Sequence, residues 1–517
     1  MIAGAASRIK AIAAANRDVA PEAQGPTQDC SDVLHINFFF DGTGNNANAD
    51  AAKRKWSNVA KLHQAARDDP QVGIYRFYIS GVGTTFNGDT DGLTDKMIAA
   101  IEDSTTGAMA GNGGERRLGQ GNTDLEKALK RALLINAEKK GGQLASVVKA
   151  KQAEGFSALN RAVGEHRLIK TINVSVFGFS RGAALARAFA NRLRELCKPG
   201  AEGALTMFGY PVRFNFVGVF DTVASFGLPS ANLTVFNQTR DLRIPQCVEK
   251  CVHFVAAHEL RFSFPVDLIR QDSTYRAGMI EKVYPGVHSD VGGGYEPEEQ
   301  GVSNVYSRIP LQHMLGHALE NGCRMLSYDY LKAKSAVVAE RFAVSANLYA
   351  EFCAYVESVQ PKGSVEDQVN QHMAAFYSAC GTLARSGSKV VGASSFQQSG
   401  LKRLMWGSIV DEAPAYERAL TSGSRVVLTD DRVFFYSFKP EKWRVEAWKT
   451  PAAPASTRFF TRYVHNSKVD FVLNAEPFSY FRPRGIFEQH AKGGSSRSTI
   501  APAIPETHAM HGASGSW

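Results

Sequence analysis

Apolar positions along the chain fall into two kinds of run. The first kind is short and nearly unbroken: "VLHINFFF" closing on "DGTGNN" (33–46), "GIYRFYISGVGT" (73–84), and the stretch "VSVFGFS" (174–180). A strand with one wet face alternates apolar and polar residues, so unbroken runs of this length predict strands buried on both faces. The second kind repeats at three and four residues, in "WSNVAKLHQAARDD" (56–69) and "TDLEKALKRALLINAEKK" (123–140), and predicts amphipathic helices. Further strands are predicted at "VRFNFVGVF" (212–220) and "MIEKVYPGV" (279–287), with "HFVAAHELRFSF" between them reading as helix. The alternation of strand, turn and helix predicts an α/β fold, a mostly parallel sheet covered by helices on both faces.

The same patterning divides the chain. Residues 1–30 read as an Ala-rich helix and a Pro/Gln linker, and 31–305 as the α/β domain with an insertion around 88–165. The Gly-rich first part of that insertion, 88–122, reads as a flexible loop. Residues 306–490 form a helical and β-containing C-terminal appendage, a lid or a docking surface, in which "SRVVLTDDRVFFYSFKPEKWRVEAWK" reads as hairpin material. Residues 491–517, rich in Gly, Ser, Ala, Pro and His, read as a disordered tail.

Composition narrows the function classes. With 44% hydrophobic and 21% charged residues the chain is neither disordered nor a repeat array. Its net charge of +9 favours anionic surfaces, or serves only solubility. No run of five like charges and no basic stripe interleaved with aromatics is present, so nucleic acid is not an expected partner. Seven scattered cysteines make no disulfide framework, and Cys247 and Cys251, though placed to share a helix face, lack further partners at zinc spacing. No metal and no cofactor is expected. Arg8, Lys10 and Arg17 interrupt the apolar N-terminus, which makes it a poor Sec signal, and no run of 18 apolar residues predicts a transmembrane helix.

The chemistry concentrates at Gly178-Phe179-Ser180-Arg181-Gly182, where a predicted strand turns into a helix. A serine in G-x-S-x-G on such a turn is a nucleophile elbow: Gly178 and Gly182 let the backbone pass closely, and the hydroxyl projects from the sheet. The backbone N–H of Arg181, at the helix start, would face a developing oxyanion. The alternative is a tight turn with Ser180 as helix cap. Asp221 ends the strand in "VGVFDTVAS", and His288 stands in the glycine-rich loop after the next candidate strand, in the order Ser, Asp, His that this fold uses. His288 would take the Ser180 proton and Asp221 would orient the imidazole. His465, in "RYVHNSKVDF", is the rival base; Asp290 reads as a loop cap, and His253 and His258 as structural residues of a helix. For the second oxyanion donor the turn after "FFFD" offers Gly42 or Thr43, against a plain turn stabilised by Asp41 and Asn45.

Taken together, "FFFDGTGNN", "GVGT" (81–84), "GFSRGAALAR", "FDTVASFG" and "PGVHSDVGGGY" resemble the α/β-hydrolase domain of the first class of type VI secretion lipase effectors, over residues 33 to about 295. By motif, Ser180, Asp221 and His288 match that family's triad positions. The resemblance implies an antibacterial phospholipase A acting on membrane glycerophospholipids. It further implies synthesis in the bacterial cytoplasm, delivery by a spike protein into the target cell's periplasm, and a cognate immunity protein. Two other readings stay open. One is an intracellular carboxylesterase or thioesterase, since a triad defines acyl transfer and not the substrate. The other is a non-catalytic membrane- or spike-binding module. The Arg- and aromatic-rich segments "RVFFYSF", "RFFTRYV" and "FSYFRPRGIF" suit either an interfacial surface or a β-rich core with solvated arginines.

Overall fold

The computed structural model describes residues 33–84, 108–163, 166–200, 204–224, 241–261, 264–388, 390, 409–429, 435–468, 480–482, 484–490 and 495–497. The expected N-terminal helix, the first part of the insertion and most of the tail lie outside these residues.

Thirteen strands are present among the described residues: β1 Val33–Phe40, β2 Ile74–Ile79, β3 Thr171–Phe179, β4 Cys197–Pro199, β5 Leu205–Met207, β6 Tyr210–Phe220, β7 Cys251–Ala256, β8 Val266–Gln271, β9 Met279–Tyr284, β10 Val426–Thr429, β11 Phe435–Phe438, β12 Ile486–Gln489 and β13 Ser495–Arg497. The central sheet runs β2-β1-β3-β6-β7-β9 with every neighbouring pair parallel, while β5 and β4 extend the first part of β6 antiparallel. This is the mostly parallel α/β architecture expected of a hydrolase-like fold. Successive residues of β1 serve opposite cores, which explains its unbroken apolar run. Phe38 and Phe40 pack against Phe189 of the helix Arg181–Glu195, whereas Phe39 stacks on Phe177 at 4.8 Å on the other face. The helices Asn58–Ala65 and Arg308–Glu320 cover that second face.

Four local expectations are corrected. The Gly-rich stretch read as a loop supplies the beginning of a 33-residue helix, Ala108–Lys140. Leu118, Leu125, Leu129 and Leu133 bury one stripe of it, and Gly121 lies so close that a Cβ there would be 2.7 Å from the Phe189 ring. Close helix packing thus uses the glycine that propensity counts against. Arg117 ties this helix to the end of β2 through Ser80 O at 2.7 Å and Gly81 O at 2.5 Å. The run expected as helix at 253–264 contributes instead to β7, with Cys251 at its start, because both faces of that strand are buried and no alternation reveals it. The predicted hairpin at 424–449 is confined to β10 and β11, followed by a helix, Lys442–Lys449. Within the expected tail, Ser495–Arg497 pairs with β12.

The C-terminal region folds back onto the sheet domain. β12 lies parallel beside β8, with β13 outside it, and Val266 N–H donates to Gly485 O at 3.0 Å. Arg270 on β8 pairs with Glu366 of the helix Val365–Arg385 at 2.5 Å and with Glu488 of β12 at 2.7 Å. Phe459 and Phe460, in a segment that suited either an interfacial surface or a β-rich core, are buried in the helix Pro454–Tyr463, and Arg482 and Arg484, expected to be solvated if the segments formed a core, are buried as well.

Candidate active site

Parallel strands end at a common edge, and ligands of such sheets bind outside it. Here β1, β3 and β6 deliver Asp41, Ser180 and Asp221 as their next residues, and His288 follows β9 by four positions. The β3–β6 register pairs Phe179 with Phe220, so Ser180 and Asp221 are the next rung beyond it. Ser180 N–H donates to Phe220 O at 3.1 Å, and Val223 N–H donates to Ser180 O at 3.2 Å.

Ser180 has φ 58° and ψ −128°, a conformation that costs energy in a residue with a Cβ and marks a strand-to-helix elbow. Both flanking glycines are sterically required. A Cβ on Gly178 would sit 2.6 Å from Ala183 Cα and from Gly182 O. One on Gly182 would run into the carbonyl oxygens of Phe40 and Asp41, which places the turn after β1 directly against the start of the elbow helix. Because those neighbours are backbone atoms, Gly182→Ala is expected to lower stability by about 1–3 kcal/mol and to displace the elbow; a thermal melt that matches wild type would refute this.

In the turn after β1, Asp41 accepts Gly42 N–H at 2.7 Å and the Tyr78 hydroxyl at 2.5 Å. Burial pushes the Asp41 carboxyl up to about 6, against the opposing pull of its donors. The Gly42 N–H is therefore turned to its own neighbour, while Thr43 Oγ1 is buried without a partner among the described residues. Arg181 opens the helix Arg181–Glu195, its backbone at the N-terminal end that binds anions.

Asp221 is fully buried, and each of its oxygens accepts two hydrogen bonds. Oδ1 accepts Ala256 N–H at 2.8 Å and Arg484 Nη2 at 2.6 Å. Oδ2 faces His288 Nδ1 at 2.5 Å and accepts Arg484 Nη1 at 2.7 Å. Burial alone would raise this carboxyl, but the Arg484 guanidinium and the His288 imidazole reverse that and hold it well below the carboxylate range. The His288 ring lies between Phe179, at 4.6 Å, and Phe264, at 5.1 Å, and its backbone N–H donates to Glu259 at 3.1 Å. Burial lowers the imidazole's basicity although Asp221 opposes it. Nε2 is buried and makes no hydrogen bond to any described residue, Ser180 included. Ser180 is 4% exposed, so the serine is covered in this conformation.

The rival histidine has a carboxylate of its own. His465 Nδ1 lies 2.6 Å from Asp290 Oδ1, its backbone N–H donates to Oδ2 at 3.1 Å, and its ring stacks on Tyr295 at 3.8 Å. Asp290 also accepts Val287 N–H at 3.0 Å, the loop-capping role expected of it. The sheet edge thus carries two imidazole–carboxylate pairs, and the one joined to Asp221 stands next to the serine's rung. His253 and His258 belong to neither: Thr222 N–H donates to His253 Nε2 at 3.0 Å, and Gly286 N–H to His258 Nδ1 at 2.7 Å.

Two contributors escaped the sequence. Arg484 was visible only as one of several arginines among aromatics, and nothing local signals a contact with a residue 263 positions away. Glu259 holds the His288 backbone, is itself held by Arg261 at 2.8 Å and accepts the Ser467 hydroxyl at 2.7 Å. Its carboxyl, which burial would raise, is brought down to about 2 by Arg261.

The family model described as "T6SS, Phospholipase effector Tle1-like, catalytic domain" matches residues 35–198 and 200–317, more than half of the chain. No curated protein matches the sequence significantly. Among solved structures, an uncharacterized protein from Pseudomonas aeruginosa is similar at TM-score 0.64 and 24% identity, covering 95% of this chain and 83% of the other, a likeness of fold. A Tle1 effector bound to the VgrG spike of the type 6 secretion system aligns at TM-score 0.41 and 18% identity, over 68% of this chain and 88% of that one. Both Ser180 and the two imidazole–carboxylate pairs' residues Asp221, His288 and Asp290 fall inside the matched family segment; His465 and Arg484 fall outside it.

Proposed function

The chain belongs to the Tle1-like family of type VI secretion phospholipase effectors, and on that premise we propose that it is a phospholipase A working through Ser180, His288 and Asp221. The observation that carries this reading is that a strained elbow serine and a buried carboxylate that holds an imidazole follow adjoining strands at one sheet edge. Ser180 Oγ attacks the acyl carbonyl carbon as His288 Nε2 takes its proton. The tetrahedral oxyanion is met by the N–H groups of Arg181 and of the Gly42–Thr43 turn, with Thr43 the better placed because Gly42 N–H is turned to Asp41. Collapse breaks the ester bond, the lysophospholipid oxygen takes the proton from His288, and the acyl group stays on Ser180. Water, deprotonated by the same imidazole, then releases the fatty acid and restores the serine. No metal or cofactor enters these steps.

Within this reading the substrate is the glycerophospholipid of a target cell's membrane, reached from the periplasm. A spike protein serves as carrier and an immunity protein protects the producer. The +9 net charge supports attraction to anionic lipid. The test is to incubate the purified chain with vesicles of glycerophospholipid labelled in either acyl chain. Expected products are free fatty acid and lysophospholipid, and the labelled position that appears gives the regiochemistry. Vesicle binding with no acyl release would overturn the enzyme reading in favour of a binding module, and release only from small soluble esters would favour a carboxylesterase.

A further inference from the structure

The contact between Arg484 and Asp221 joins the end of the chain to the dyad of the proposed triad. Arg484 immediately precedes Gly485, whose carbonyl accepts Val266 N–H as β12 aligns beside β8, so the pairing of two strands places this side chain. Its Nη1 and Nη2 meet Asp221 Oδ2 and Oδ1 at 2.7 and 2.6 Å, and Nη2 also donates to Ala256 O at 2.7 Å. This is a two-pronged guanidinium–carboxylate pair, which aligns the plane of the carboxylate as well as neutralising it. A carboxylate that turned about its bond would lose His288 Nδ1, which it meets through Oδ2 at 2.5 Å.

We propose that Arg484 is a positioning residue of the catalytic site: it locks the Asp221 carboxylate in the plane that orients His288 and tempers that carboxylate's pull on the imidazole proton. The inference rests on the reading of Asp221 as the residue that orients the base. It makes the C-terminal segment part of the catalytic machinery. The family match ends at residue 317, and Arg484 lies 167 positions beyond it.

Other charges face the pair from each element packed on it. Glu259 and Arg261 come from the segment after β7, and within β7 His253 is held by Glu281 of β9 at 2.6 Å. Asp267 of β8 accepts Ala224 N–H at 3.1 Å, and Asp290 lies on the same short helix as His288. Glu259 and Arg261 pair with one another, while Arg484 is in direct contact with the Asp221 carboxylate.

Arg484→Gln in the full chain leaves Asp221 fully negative beside His288 and favours the protonated imidazole. The acid limb of kcat/KM against pH is expected to move up by about one unit, roughly a tenfold loss on the acidic side. A folded Gln variant whose acid limb coincides with wild type overturns the proposal; loss of folded protein alone would not move that limb. Arg484→Lys returns the charge but cannot bridge both oxygens. Its limb is expected to return near wild type while its plateau kcat stays several-fold low, and a wild-type plateau overturns the positioning role even if the Gln variant does not fold. Asp221→Asn separates the two levels. Full activity in that variant removes the underlying triad reading, whereas its inactivity together with an unmoved limb in Arg484→Gln removes only the present inference.

Discussion

Ser180→Ala is expected to leave a folded protein that binds vesicles as wild type does and releases fatty acid about 10⁶-fold more slowly, down to the rate that substrate binding and the oxyanion donors sustain alone. The size of the effect follows from what the hydroxyl does. On the proposed reading it is the atom acylated, at the edge where β3 and β6 end. Structural disturbance should be small, because the elbow is held by backbone hydrogen bonds, Ser180 N–H to Phe220 O and Val223 N–H to Ser180 O, that alanine keeps. Acyl release by the alanine variant within tenfold of wild type would remove the serine from the chemistry. A covalent serine-directed phosphonate supplies a second readout: it should label the wild-type chain at Ser180 and leave the variant unmodified.

His288→Ala and His465→Ala should part by several orders of magnitude. Without His288 no base remains against Asp221, and kcat is expected to fall on the order of 10⁴-fold or more. Without His465, turnover is expected within a few-fold of wild type. The penalty there is thermodynamic, since Asp290 Oδ1 loses its imidazole donor in a buried site while Oδ2 keeps Val287 N–H and the residue-465 backbone N–H. A buried acceptor left without its donor costs about 1–3 kcal/mol, visible as a lowered melting temperature. Assay and melt together decide the assignment: if His288→Ala keeps the full rate and His465→Ala loses it, the base belongs to the Asp290 pair.

Much of this arrangement is readable before any fold is known, and the reasons differ from element to element. The strands β1, β3 and β6 are legible because burial on both faces writes an unbroken apolar run, and the elbow is legible because two backbone close approaches demand glycine on either side of one serine. The same two-sided burial hides β7, whose apolar run has no alternation to distinguish it from a helix. Glycines suggested a loop at 88–122, yet from Ala108 on the chain is a long helix in which Gly121 admits the Phe189 ring. Local propensity there yields to packing that spans some 70 residues of chain.

Taken alone, the amino-acid sequence determined the parallel α/β framework, the family, and the strand ends that carry Ser180, Asp221 and His288, because each is written in short-range patterning or in a motif. The pairing of Asp221 with His288 was already expected from motif order; only the tertiary structure decided that Asp290 holds the rival His465 and that Arg484 closes on the first pair. Such contacts are settled by directional hydrogen bonds between side chains that the fold brings together from far apart, and distance along the chain carries no trace of them.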